Sequence, residues 1–104
     1  MRQLLIAGIV GASLVMSAGA NAAGDAAAGK AKSAVCGACH GPDGNGMNPL
    51  WPKLAGQYEP YLLKQLKDFK SGARKDPVMA PMAAPLSDQD MENLAAYFAS
   101  QKQK

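Results

Sequence analysis

The run Cys36-Gly37-Ala38-Cys39-His40 constrains this chain more than any other stretch. Two cysteines three apart, with a histidine directly after the second, form the attachment pattern of a c-type haem. The two thiols add to the haem vinyl groups and become thioethers. The spacing brings both sulfurs to one edge of the porphyrin. His40 is then carried under the ring, where its imidazole can ligate the iron as the proximal ligand. A chain organised in this way folds around a large, flat, apolar group.

Rival readings of the motif need residues the chain lacks. It holds no other cysteine and no other histidine. A zinc site takes four protein ligands, or three and a water. Cys36, Cys39 and His40 supply three, too close in sequence to surround one tetrahedral ion well. A thioredoxin-like dithiol uses C-x-x-C but sits beside a βαβ pattern, and no strand-like run lies near residue 36. A disulfide across so short a loop would be strained and would restrain little chain.

The first 22 residues read as a cleaved secretory signal peptide. Arg2 gives the positive start, Leu4 to Ala18 the apolar stretch, and Ala20-Asn21-Ala22 the cleavage site. The apolar stretch is short for a membrane span, which takes roughly 20 residues. The mature domain is then residues 23–104, exported to the periplasm with no stable membrane insertion. A domain of this size makes a thin core and usually needs a staple. Two neighbouring cysteines cannot staple it, whereas a covalent apolar cofactor can serve as the centre of the core. The formal net charge is +3, of which Arg2 contributes one. No basic run or aromatic–basic interleaving suggests nucleic-acid binding.

Hydrophobic spacing predicts an all-α fold with three main helices. The first runs from about Asp25 to Ala38, with Asp25 as N-cap before Ala26, Ala27 and Ala28. Gly29 within it marks either a close helix crossing or a tolerated glycine. The second runs from about Pro60 to Ser71, with Pro60 near its start and Gly72 as its stop. Leu62, Leu63, Leu66 and Phe69 form its buried stripe. The third runs from about Asp88 to Gln101, opened by Ser87 with Asp90 in a capping-box arrangement. Met91, Leu94, Ala95 and Phe98 form its stripe. The segment from Gly41 to Gln57 is too rich in Gly and Pro for regular structure. It still carries Leu50, Trp51 and Leu54, so it is expected to wrap the haem.

One axial position of the iron is left for a second ligand. With no second histidine, the donors left in the mature chain are Met47, Met79, Met82 and Met91. Met91 lies on a core stripe, and Met47 follows His40 too closely to reach the other haem face easily. Met79 and Met82 sit in the Pro-rich segment Pro77 to Pro85, which is expected to be irregular and long enough to cover that face. A thioether is a soft, neutral donor that favours ferrous iron and raises the reduction potential. Residue spacing alone leaves Met79 and Met82 both open.

The chain resembles the bacterial class I c-type cytochromes, the small monohaem kind and the single-haem halves of dihaem relatives. The likeness rests on A-G-D-A-A-A-G-K from Ala23, C-G-A-C-H-G from Cys36, W-P-K-L-A-G-Q from Trp51, Y-L-L-K-Q-L from Tyr61 and P-L-S-D-Q-D from Pro85. It covers essentially all of residues 23–104. The dihaem relatives duplicate the unit; this chain carries one haem motif. The resemblance implies a class I cytochrome c fold wrapped around one covalent haem c, held by Cys36 and Cys39. It implies axial ligation by His40 and by Met79, the methionine seven positions before Leu86 of the L-S-D element. It implies that the Pro52 carbonyl accepts a hydrogen bond from His40, that Gly29 marks the crossing of the terminal helices, and that Arg74 and Lys75 lie near the haem propionates.

The expected function is therefore that of a soluble periplasmic one-electron carrier, not an enzyme. It would shuttle electrons between respiratory or dehydrogenase partners as a monomer, docking transiently and electrostatically. No nucleophile–base pair or carboxylate dyad suggests bond chemistry. The alternatives are a haem enzyme or sensor with an open iron, and a subunit docked permanently on a dehydrogenase or oxidase.

Overall fold

In the computed structural model, Gly8 and residues 24–104 are described. Apart from Gly8, the leader read into residues 1–22 lies outside the described residues. Five helices follow in order: α1 (Ala26–Lys32), α2 (Ala34–His40), α3 (Glu59–Ser71), α4 (Met79–Ala83) and α5 (Asp88–Ser100). Among the described residues there is no β-strand. None of their helices is long and apolar enough to cross a membrane.

The caps fall where side-chain chemistry puts them. The Asp25 carboxylate accepts from the amides of Ala27 and Ala28, satisfying donors that the first turn leaves without partners. Gly72 closes α3 with φ 88°, its N–H returning to the Asp68 carbonyl. Ser87 opens α5 with a complete capping box: its hydroxyl accepts from the Asp90 amide, and Asp90 accepts from the Ser87 amide.

Two local departures from the sequence reading have clear causes. The expected first helix is two helices, broken at Ser33. Both the amide and the hydroxyl of Ser33 turn back to the Lys30 carbonyl, at 3.2 and 2.8 Å. A serine able to bond its own backbone in this way interrupts a weak helical run. The second departure is α4, inside a segment expected to be irregular. Pro81 is its third residue. The first turn of a helix has no intrahelical use for its N–H groups, so proline is tolerated there.

The core is built mainly by α5 against α1 and α3. Met91 and Leu94 are almost fully buried, joined by Leu62, Phe69, Leu86, Tyr97 and Phe98. Burying side chains of this size stabilises by roughly 1.5–3 kcal/mol each. Helix α1 crosses α5 so closely that a Cβ on Gly29 would lie 2.0 Å from the Asn93 carbonyl oxygen. Of the two readings of Gly29, the crossing is what the structure shows. The loop from Gly41 to Gln57 is tied down by backbone bonds. The Gly44 carbonyl accepts from Leu54 and Ala55, the Gly56 amide donates to Phe98, and the Tyr97 hydroxyl donates to Pro42.

The capping box should be measurable. Ser87→Ala is expected to lower stability by about 1 kcal/mol, read from the denaturant midpoint. The Ser87 amide, with Lys32 3.6 Å away, holds the Asp90 carboxyl below its ordinary value of 3.8. The stability it contributes is present above that ordinary value and fades as pH falls through the depressed one. Asp90→Asn should flatten this part of the acid titration.

Candidate functional site

Helix α2 is short and ends on its most important residue. Gly41, at φ 86°, stops the helix, and the Gly46 amide takes up the His40 carbonyl at 2.6 Å. His40 is buried. Its Nδ1 lies 2.7 Å from the Pro52 carbonyl oxygen. A carbonyl only accepts, so Nδ1 must carry the hydrogen. The Nε2 lone pair is thereby left for a metal, and the ring orientation is fixed. Proline at 52 lends a restricted backbone to the carbonyl that does this.

Cys36, Cys39 and His40 line a cavity of about 600 Å³, within the ~300–1,000 Å³ range of cofactor pockets. Its walls come from elements far apart in sequence. The loop gives Leu50, Trp51 and Leu54; α3 gives Leu62, Leu66 and Phe69; α5 gives Leu94 and Phe98. The cysteines are unbridged. Burial raises the Cys36 thiol above its ordinary value, with a backbone hydrogen bond partly offsetting it. A redox-active dithiol needs the opposite shift. Among the described residues no group of three or more His, Cys, Asp or Glu side chains is placed to hold a metal ion.

The methionines divide cleanly. Met47 is 96% exposed and away from the cavity, and Met91 is buried in the α5 core. Met79 and Met82 both line the cavity. Met79 is half-buried and packs on the core cluster, whereas Met82 is 41% exposed. Arg74 also lines the cavity. Its guanidinium lies 4.6 Å from the Phe69 ring centroid and donates to Gln65 Oε1 at 2.6 Å. Lys75 is exposed and is not part of the lining.

The distribution of exposed apolar surface shows what kind of group fits. Seven large apolar side chains are exposed among the described residues. Five of them, Val35, Leu50, Tyr61, Val78 and Met82, belong to the wall of this one cavity. A large flat apolar group lodged there would cover them, with both thiols and the His40 nitrogen on its boundary. That set of donors and walls fits a haem attached through Cys36 and Cys39.

The Cytochrome c family profile matches residues 26–102. This chain belongs to the cytochrome c family. Its cofactor is accordingly haem c, one covalent iron porphyrin for its one C-x-x-C-H motif. Cytochrome c4 of Pseudomonas aeruginosa is 64% identical over 83 residues, covering 80% of this chain and 41% of that protein. The thiosulfate dehydrogenase electron acceptor of Stutzerimonas stutzeri is 51% identical over 63 residues, covering 60% of this chain and 29% of that protein. The crystal structure of reduced cytochrome c4 from Pseudomonas stutzeri superposes with a TM-score of 0.76 at 58% identity. That match covers 79% of this chain and 48% of that one. The fold is thus the all-α class I cytochrome c fold, and the chain spans less than half the length of these relatives.

Sequence reasoning brought together Cys36, Cys39, His40, Pro52 and Met79, and the structure places all five around the same cavity. It passed over Asp76, which caps the methionine segment. Asp76 accepts from the amides of Met79 and Val78 at 2.8 and 2.9 Å, and these bonds hold its carboxyl below the ordinary value. An aspartate bonding to amides two and three residues on is a readable turn signal. Asn45 was passed over as well. Its side-chain amide accepts from the Lys104 amide and donates to the Lys102 carbonyl, fastening the loop from Gly41 to Gln57 to the residues beyond α5.

Proposed function

We propose that this cytochrome is a periplasmic one-electron carrier with His40 and Met79 as axial ligands and Cys36 and Cys39 as thioether anchors. The observation that carries the reading is the convergence of a buried, tautomer-fixed His40 and the thioethers of the α4 segment on one apolar cavity. When bound, haem would supply the one-electron chemistry, its iron accepting an electron from one partner and passing it to the next. The chain's own residues do the rest. His40 holds its nitrogen in place through Pro52. Met79 offers a soft sulfur that favours the reduced state. The apolar walls keep water away from the metal, and Arg74 at the cavity is placed to meet a propionate. The greater burial of Met79 supports it over Met82.

With both His40 and Met79 on the iron, no position would be left for substrate, which fits a carrier. The Stutzerimonas stutzeri relative named as an electron acceptor supports redox proteins as the partners. Small, transient, electrostatically steered interfaces suit such exchange, with the domain acting as a monomer. In this reading the leader is removed before Ala23, and residues 23–104 form the mature monohaem domain.

The test is direct. Protein exported by cells with a working haem-attachment system should have the mass of residues 23–104 plus one haem, and its ferric spectrum should show the sulfur-to-iron band. The reduced protein should bind carbon monoxide slowly and weakly. Rapid, tight binding would instead identify a haem enzyme or sensor with an open iron.

A further inference from the structure

Helix α4 is only five residues long, far too short to hold itself together. It is fastened at both ends by charged side chains of opposite sign. Before it, the Asp76 carboxylate accepts from the Val78 and Met79 amides, and the Asp76 carbonyl accepts from Ala80. After it, the Lys70 ammonium, reaching across from α3, donates to the carbonyls of Ala84 and Leu86. Between these fixings Ala83 is fully buried and Leu86 nearly so. Lys70 is otherwise an exposed side chain on a helix end, where lysine ordinarily points into water. Here it takes up the Ala84 carbonyl at the C-cap of α4 and the Leu86 carbonyl in the short link to α5.

We infer that Lys70 and Asp76 are positioning residues that clamp the two ends of α4 and so hold the Met79 sulfur in place. The inference rests on the reading of Met79 as the second axial ligand. The reason for a clamp lies in the ligand. A thioether is a weak donor to ferric iron, so in the oxidised protein the sulfur is retained largely by the backbone that carries it. Hydrogen bonds with one charged partner are stronger than neutral ones. Two such fixings, one at each end, oppose a swing of the short helix about either junction. The site then opens rarely, and external ligands find it closed for most of the time.

The test uses the haem-loaded protein and imidazole as an external ligand for the ferric form. Lys70→Met keeps the length and the apolar stem of the side chain and removes the ammonium. It should tighten imidazole binding by about fivefold or more, as the open fraction rises. Because the site stays mostly closed, the sulfur-to-iron band, the midpoint potential and the global unfolding midpoint should stay close to wild type, so the gain in imidazole affinity reads the opening alone. Asp76→Ala should act in the same direction, and Lys70→Arg should restore wild-type behaviour. Asn93→Ala, at the α1–α5 crossing away from α4, serves as the control for general loss of stability. Wild-type imidazole affinity in both Lys70→Met and Asp76→Ala would overturn the inference. So would an equal rise in affinity in Asn93→Ala, since loosening the fold anywhere would then suffice. Met79→Ala is run alongside. If it keeps the band and Met82→Ala loses it, the ligand reading itself falls; if Met79→Ala loses the band while both clamp variants bind imidazole with wild-type affinity, only the clamp falls.

Discussion

Met79→Ala is expected to abolish the sulfur-to-iron band of the ferric protein, to lower the midpoint potential by on the order of 0.1 V or more, given that axial ligation spans ~0.8 V across haem proteins, and to open the reduced form to rapid carbon monoxide binding. The direction follows from donor softness. The thioether stabilises the ferrous state relative to the ferric, and without it a harder ligand such as water favours the ferric. Met82→Ala is the matched comparison. Met82 lines the same cavity from the same helix but is 41% exposed. Its loss should keep the band, with stability lowered only by the packing that Met82 gives up against the haem. Spectroelectrochemistry of the two variants reads all of this. Disappearance of the band in the Met82 variant with retention in the Met79 variant would reverse the assignment.

Among the described residues only two methionines line the cavity. Met47 stands in solvent and Met91 is packed among Leu94, Phe98 and their neighbours. Neither can serve without rebuilding the loop or the core. Between Met79 and Met82, the first has its amide bonded directly to Asp76 and packs on the core cluster. The second has a more exposed side chain at the next turn. Position on a short helix therefore separates two residues that are chemically identical.

Much of this arrangement could be read in advance because its signals are local. The C-x-x-C-H spacing, the Asp25 and Ser87 caps, the Gly72 stop and the apolar stripes of α3 and α5 each depend on a few neighbouring residues, and each appears in the structure. What could not be read depends on contacts between distant segments or on a balance of small local terms. Ser33 breaks the first helix because its hydroxyl finds the Lys30 carbonyl, a bond that competes with an intact helix by little. Pro81 marked its segment as irregular, yet at the third position of α4 its missing N–H costs nothing. Lys70 meets Ala84 and Leu86 only once α3 has packed beside α4. Asn45 likewise finds Lys102 and Lys104 more than fifty residues away. Nothing in the neighbouring sequence distinguishes Lys70 from Lys64 or Lys67.

Gly29→Ala should destabilise the haem-loaded protein by about 3 kcal/mol or more, at the upper end of overpacking effects. The sign is the informative part. On helix propensity alone the same substitution would stabilise α1 by up to about 1 kcal/mol. The structure opposes that gain with atoms that cannot step aside. A Cβ at residue 29 would lie 2.0 Å from the Asn93 oxygen, 2.6 Å from its carbonyl carbon and 2.8 Å from the Tyr97 Cβ. The first two are backbone atoms of α5, and no rotamer change moves them. Relief requires the two helices to separate, and several bonds resist separation. The Asp25 amide is bonded to Asn93 Oδ1 at 2.8 Å, just before α1. Tyr97 is bonded to Pro42 just beyond α2. Helix α2, which carries Cys36, Cys39 and His40, follows α1 with only Ser33 between them. A shift of α1 is therefore felt at the haem anchors, and Gly29→Ala should also weaken the His40–Pro52 contact. Guanidinium unfolding of both oxidation states measures the stability. An increase in stability would show that α1 and α5 do not cross as closely as their backbones are placed, and the tight terminal crossing would have to be given up.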